Sequence, residues 1–432
     1  MFKKLGLVFS NKTIMKRLGI TLIILFVYRF LALKVTLPLI DKGRLGNVFE
    51  GGFFDYLNAF SGNALEQFSI IALGISPYIT ASIVVQMLQM DIVPILKEWG
   101  EQGEVGKRKL NNLTKYIGIG LTFIQAMGLL VGFSSGYGIQ NILKPEVDGN
   151  QILILIYLSL LITAGACILL WFADLITRYG IGNGSSMIIA AGILTSIPSS
   201  ISYLWKTFIT DGKGGLQIFY FILIILIYIL VILGVIYMQL ATRKIPIQHA
   251  NRGQAANQNL PIKLNTAGVM PVIFAGTLMS VPLSILGLVY SNDTTKATNS
   301  WINKIFNQTE PIGIVLYIVL IYIFTFFYTF LTVNPDKMAD NLSKQNAYIP
   351  GVRPGEDTAT YIAKVMFKVT ALGATYLAIL SIIPVIVQKA FSLSSSVAIG
   401  GTSILIIVGV AVETTKQIET EAVEKTYQGF LG

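Results

Sequence analysis

Ten apolar stretches recur along the chain, separated mostly by short polar connections. They run from Leu18 to Val35, Phe68 to Met90, Tyr116 to Phe133, Ile152 to Phe172, Ser185 to Leu204, Ile218 to Met238, Ala267 to Val289, Ile312 to Val333, Val369 to Val387 and Val397 to Val412. A helix that crosses the hydrocarbon needs roughly 20 apolar residues, so the pattern predicts ten transmembrane helices. The fifth, seventh and tenth carry the weakest signals. A membrane β-barrel would instead alternate apolar and polar residues over short segments, and these runs are continuous.

Composition agrees with that reading. Hydrophobic residues make up 53% of the chain, charged residues 12%, and the mean hydropathy is +0.68, a profile no soluble core needs. Lysine and arginine number 22 on the N-terminal arm, the even connections and the C-terminal tail, against 9 on the odd connections. By the positive-inside rule both termini are cytoplasmic. The net charge of +10 is thereby mostly an orientation signal, and nucleic-acid binding is not needed to explain it. Lysines precede the first run as in a signal peptide, but no small-x-small cleavage pattern follows Leu33, so an uncleaved first span is expected. A single cysteine, Cys167, rules out an internal disulfide.

The interior of the runs is chemically sparse. As drawn, they hold no aspartate or glutamate, and the one histidine, His249, lies in a connection. Ion-coupled pumping and intramembrane catalysis both draw on ionisable groups at membrane depth. A passive conduit without catalytic residue, metal or cofactor is the expectation. Arg29 stands inside the first run. A charge at that depth reads by default as a functional site; its place near the end of the run favours a head group that extends to the outer interface.

The first external connection carries Phe53, Phe54, Tyr56, Leu57, Phe60, Ala64 and Leu65 among Asp55, Asn58, Ser61 and Asn63. Residues 53, 57, 60 and 64 share one helical face. A helix this short cannot span the membrane, so it lies at an interface or acts as a movable stopper. The following run opens on Gly74, Ile75, Ser76 and Pro77, and unpaired backbone at such a start is tolerated only beside a water-filled cavity. That raises the stopper reading beside the amphipathic surface helix, the commoner case for such a segment.

With these features the chain resembles the SecY family, the channel subunit of the bacterial Sec protein translocase. The likeness rests on Phe60, Ser61, Gly62, Ala64 and Leu65; on Ala72 to Ile75 with Pro77 to Ile79; on Gly103 to Asn111; on Gly180 to Gly184; on Asn265 with Ala267, Gly268, Val269 and Pro271; and on Asn334, Pro335, Ala339 to Leu342 and Ile349 to Glu356. The glycines at 180 to 184 follow no strand, so they do not read as a nucleotide site.

The resemblance implies an all-α membrane protein whose ten helices form two pseudo-symmetric five-helix halves, residues 18–204 and 205–412. A cytoplasmic arm at 1–17 precedes them and a tail at 413–432, solvated or a short helix, follows. It implies a plug at 53–65, with Phe53, Tyr56, Leu57, Phe60 and Leu65. It places a constricting ring on Ile75, Ile79, Ile189, Ile273 and Ile406, with Ser185 where an apolar residue is more usual. A collar of branched aliphatic side chains holds no water file when empty and refuses ions by dewetting, while its stiff χ1 angles keep the bore defined. The family also opens sideways to lipid between its second and seventh spans, a seam that carries Thr80, Gln86 and Asn265. Hydrogen bonds across it are expected to be weak enough to break.

Cytoplasmic docking loops fall at 239–264 and 334–368. The first bears Arg243, Lys244, Arg252 and Lys263 with no acidic residue. In the second, Pro350, Gly351, Pro354 and Gly355 frame Arg353 in a stiff turn. The resemblance implies that these loops meet the ribosome or the SecA motor ATPase, that SecE and SecG are partner subunits, and that secretory and membrane protein precursors cross or enter the bacterial cytoplasmic membrane. The chain departs from the family pattern in a shorter, less basic sixth connection after Arg252, and in Ile176, Thr177, Arg178 and Tyr179. No Walker motif is present, so energy comes from a partner. The alternatives are a small-solute secondary transporter, suggested by ten spans with a broken second one, and a membrane scaffold without a conduit.

Overall fold

The structure is a computed structural model that describes residues 12–40, 61–62, 64–89, 93–137, 150–210, 215–249, 258–289, 300–307, 310–391 and 395–428. Its helices, in chain order, are α1 Lys12–Lys34, α2 Ser76–Gln89, α3 Pro94–Glu101, α4 Glu104–Tyr137, α5 Gln151–Tyr179, α6 Gly184–Trp205 with a π turn at Lys206–Thr210, and α7 Gly215–Leu240. Strands β1 Thr242–His249 and β2 Gln258–Lys263 follow, then α8 Met270–Val289, α9 Trp301–Phe306, α10 Pro311–Thr332, α11 Pro335–Lys344, β3 Ala347–Tyr348, α12 Glu356–Ala390 and α13 Ser395–Gln428.

Each of the ten apolar runs falls on a helix: α1, α2, α4, α5, α6, α7, α8, α10, α12 and α13. Six of these, α4, α5, α6, α7, α10 and α12, are long and apolar enough on their own to cross a bilayer. The second run is corrected. Residues 68–75 form turns, and α2 is 14 residues long, about 21 Å at 1.5 Å per residue and short of the hydrocarbon thickness. The turns are bonded from outside the helix: Leu37 donates its amide to the Phe68 carbonyl at 2.7 Å and Ile70 to Val35 at 3.1 Å.

Local chemistry sets several helix starts. Asn150 and Asn183 cap α5 and α6 through their side-chain oxygens, and Asn334 accepts from the amides of Asp336 and Lys337. Pro335 opens α11 and Pro311 opens α10, where a missing amide hydrogen costs nothing. α11 also has Asp336 in its first turn and Lys344 in its last, which complements the helix dipole.

Against lipid the chain turns apolar side chains outward. On α7, Ile222, Leu226, Ile229, Leu230 and Leu233 are all exposed. The buried interior gathers α1, α2, α5, α6, α8, α10, α12 and α13 around one large apolar cluster, and Phe274 of α8 meets Phe324 and Tyr328 of α10 edge-on, each at 5.9 Å. Lys115 and Asp174 pair between α4 and α5.

The sixth connection folds into a sheet of order β2-β1-β3. Thr242 pairs with Lys263 and Ile245 with Leu260, while Gln248 pairs with Tyr348. Ile245 and Ile262 join Leu342, Ala347, Ile349, Ile362 and Met366 in a small separate core. The tail differs from expectation too. α13 continues unbroken past the apolar run to Gln428. Arg17 pairs with Glu421 at 2.9 Å, Gly182 donates its amide to Gln417, and Lys416 donates to the Gln239 carbonyl at 2.9 Å. Burial, helped by the nearby Lys263 charge, lowers the Lys416 ammonium below the usual lysine range.

Candidate functional site

The five isoleucines expected at the constriction come from four helices and their starts. Ile75 immediately precedes α2 and Ile79 lies in its first turn, Ile189 in the second turn of α6, Ile273 in the first turn of α8 and Ile406 in α13. All five are buried, at 1 to 7% exposure, and belong to the large apolar cluster at the centre of the bundle. Ser185 sits one turn before Ile189, half-buried, its amide bonded to the Asn183 side chain at 3.1 Å.

Two of these helix starts are built alike. Residues 74–81 and 268–275 both read glycine, branched aliphatic, any residue, proline, any residue, isoleucine, any residue, alanine. Gly74 and Gly268 take positive φ angles of 59° and 66°, which only glycine adopts freely. Each glycine reverses the chain into its helix, with Pro77 and Pro271 at the second helical position. The first turns match as well: the Ile79 amide meets the Ile75 carbonyl at 3.2 Å, and that of Ile273 meets Val269 at 3.3 Å. This internal repeat is present in the letters, but eight residues separated by nearly half the chain are below what a periodicity search detects.

The stopper segment is described only at its C-terminal end. Phe53, Tyr56, Leu57 and Phe60 lie outside the described residues. Ala64 and Leu65 are completely buried, Ala64 in the cluster that holds the five isoleucines and Leu65 in its neighbour with Leu37, Phe68 and Ile162. Arg29 has a protein partner: its guanidinium donates to the Gly62 carbonyl in the first external connection. Finding that partner from sequence would have required knowing that α1 lies beside a turn 33 residues away.

Among the described residues, Thr80 and Gln86 bond within their own helix rather than across the expected seam. The Thr80 hydroxyl donates back to the Ser76 carbonyl at 3.2 Å, and the Gln86 amide group donates to Ser82 at 3.1 Å, both within α2. Asn265 is buried at 8% exposure, and neither of its side-chain polar atoms has a partner among the described residues. The reason is local: a threonine or glutamine on a helix finds a carbonyl or hydroxyl one turn away before it can reach another helix.

On the sheet, Arg243 and Lys244 are exposed neighbours in β1. Successive strand residues face opposite sides, so the two cations do not form one patch. Arg252 lies outside the described residues. Arg353 is exposed, its carbonyl accepts from the Thr358 hydroxyl at 2.7 Å, and Gly351 and Gly355 on either side have positive φ. The strands were missed on the sequence, yet Ile245 and Ile247, then Leu260 and Ile262, carry the period of two that marks them.

The SecY family model matches residues 69–415. The protein translocase subunit SecY of Bacillus subtilis strain 168 is 43% identical over 439 residues, covering all of both chains. That of Halalkalibacterium halodurans is 42% identical over 441 residues, again across both chains. Among solved structures, a protein-conducting channel covers 96% of this chain and 94% of its own at a TM-score of 0.69 and 20% identity. A SecY structure concerned with the plug domain and the closed state reaches 0.66 at 22% identity, covering 96% and 93%. Sec61 from a canine ribosome-channel complex reaches 0.67 at 19% identity, covering 96% and 94%. Identity above 40% along the whole length, on a fold shared with these channels, leaves one assignment: the chain belongs to the SecY family.

Proposed function

We propose that this chain is the central protein-conducting subunit of a bacterial Sec translocase, passing unfolded secretory proteins across the cytoplasmic membrane and releasing transmembrane segments sideways into lipid. The observation that carries the reading is that Ile75, Ile79, Ile189, Ile273 and Ile406, from four helices and their starts, are all buried members of one apolar cluster. In this reading they form the constriction, with Ser185 on its cytoplasmic side. A dry collar refuses ions by dewetting yet offers an extended polypeptide only nonspecific apolar contacts.

Residues 53–65 act as the plug, whose described end is already packed into that cluster. The halves 18–204 and 205–412 are related by the matched starts of α2 and α8. The seam between those helices is the lateral gate, and the unpartnered Asn265 amide suits it, because a buried polar group without a mate lowers the cost of separation. The basic asymmetry of the connections sets both termini in the cytoplasm. SecE and SecG are the partner subunits, and the exposed Arg243, Lys244 and Arg353, with Arg252, meet SecA or the ribosome.

A stalled secretory chain tests the path. A photoreactive residue at Ile79 or Ile189 should crosslink to the translocating segment, while one at the lipid-facing Ile229 should not. Labelling confined to Ile229 would remove the channel reading, and saturable solute uptake by the protein alone in liposomes would replace it with a transporter.

A further inference from the structure

Two consecutive residues of α1 hold two consecutive carbonyls at the end of the stopper segment. Tyr28 is buried at 1% exposure and its hydroxyl donates to the Ser61 carbonyl at 3.3 Å. Arg29, half-buried beside it, donates to the Gly62 carbonyl. The turn is closed from within as well, since the Leu65 amide donates to the Ser61 hydroxyl at 3.2 Å.

A third element presses on the same turn. Gly62 has a φ of +66°, and a Cβ placed on it would lie 2.7 Å from the Gly192 Cα in α6. Gly192 is in turn covered by the Tyr28 hydroxyl, which would be 3.1 Å from a Cβ there. Gly192 stands three residues after Ile189, about one helical turn. The turn at 61 and 62 is therefore held against the helix that supplies Ile189 to the collar.

The chemistry of the hold is specific. Carbonyls in a buried turn have no water to bond and need a donor. A guanidinium makes a charge-assisted bond, stronger than a neutral one, and it can be released without breaking any helix. Burying a charge there is costly unless it has such a task; within the first run, Arg29 is the one cation away from the very end.

We propose that Tyr28 and Arg29 form a latch that holds the turn at Ser61 and Gly62 against α6 at rest, acting as positioning residues whose release accompanies opening. The latch rests on the reading of residues 53–65 as the plug. It makes sealing, rather than folding, the property most sensitive to these two side chains.

The test measures resting ion leak of the channel, reconstituted in liposomes with its partner subunits. A deletion of residues 53–60 serves as the reference for an unplugged pore. Arg29→Met keeps the apolar stem and removes the donors, and should raise the leak by about tenfold, the loss expected for one charge-assisted bond; Arg29→Lys should leak less. Rescue separates a latch from general structure. In an Arg29→Met protein that also carries Tyr28→Cys, Ser61→Cys and Cys167→Ser, a short thiol-to-thiol crosslinker joining α1 to the turn should restore the seal.

A leaking deletion together with a tight Arg29→Met protein would overturn the latch and leave the plug standing. A deletion that does not leak would remove the plug and the latch with it. A leak that crosslinking fails to close would also overturn the latch. If Arg29→Met does not assemble, the near-isosteric Tyr28→Phe decides on the same readout, with an unchanged leak counting against the proposal.

Discussion

The starts of α2 and α8 share one eight-residue pattern and one backbone geometry, yet the chain in front of them could hardly differ more. Ahead of Gly74 runs a buried, turn-rich segment in which Ala64, Leu65, Phe68 and Ser69 are all but inaccessible, tied to α1 and pressed on α6. Ahead of Gly268 comes a two-stranded ribbon with a small core of its own and exposed cations. If the two halves are inverted copies, these approaches lie on opposite sides of the membrane. One side then needs a seal, which apolar burial supplies, and the other needs a landing surface, which a sheet stiffens. On that reading a repeated unit has kept the glycine-proline start of its helix and varied what leads into it.

The sharpest way to break the comparison is to substitute the matched isoleucines. Ile79→Asn and Ile273→Asn should each let water into the collar and raise resting conductance by an order of magnitude or more in planar bilayers, since hydrophobic constrictions gate by dewetting. A leak from one and not the other would mean that the matched starts are not equivalent at the pore.

A smaller effect separates the two approaches. Ile262 is buried in the core of the sheet at 6% exposure. Ile262→Ala should destabilise that core by about 2 to 5 kcal/mol, seen as faster amide exchange in β1 and β2 and weaker SecA or ribosome binding. The resting leak should not change. If it rises, the platform and the seal are coupled.

The smallest effect concerns charge. Arg353→Ala should weaken binding of the cytoplasmic partner by about 1 kcal/mol or less at physiological salt, as is usual for exposed cations. The loss should shrink further as salt is raised. A salt-independent loss would point to the glycine-framed turn rather than the guanidinium.

How much of this was legible in the letters varies by element. The long spans were, because lipid demands a continuous apolar surface and little else explains α7. The five isoleucines could be named only through family likeness, since an isoleucine in a membrane helix is most often plain packing. The strands of the sixth connection were legible through the alternation of Ile245 and Ile247. The tail was not: a charged amphipathic end reads as solvated until Arg17, Gly182 and Gln239 are seen beside it.

Sequence by itself determined that the chain lives in a membrane, how many times apolar segments recur and which connections carry positive charge, because hydropathy and charge act residue by residue against lipid and water. Only the tertiary structure decided what meets at the centre and what holds the turn at Gly62. Those facts depend on contacts between residues 33 to 404 positions apart, such as Arg29 with Gly62 and Arg17 with Glu421. Which helix faces which is set by shape and by the few polar groups that must find a partner away from water, and no local pattern encodes that choice.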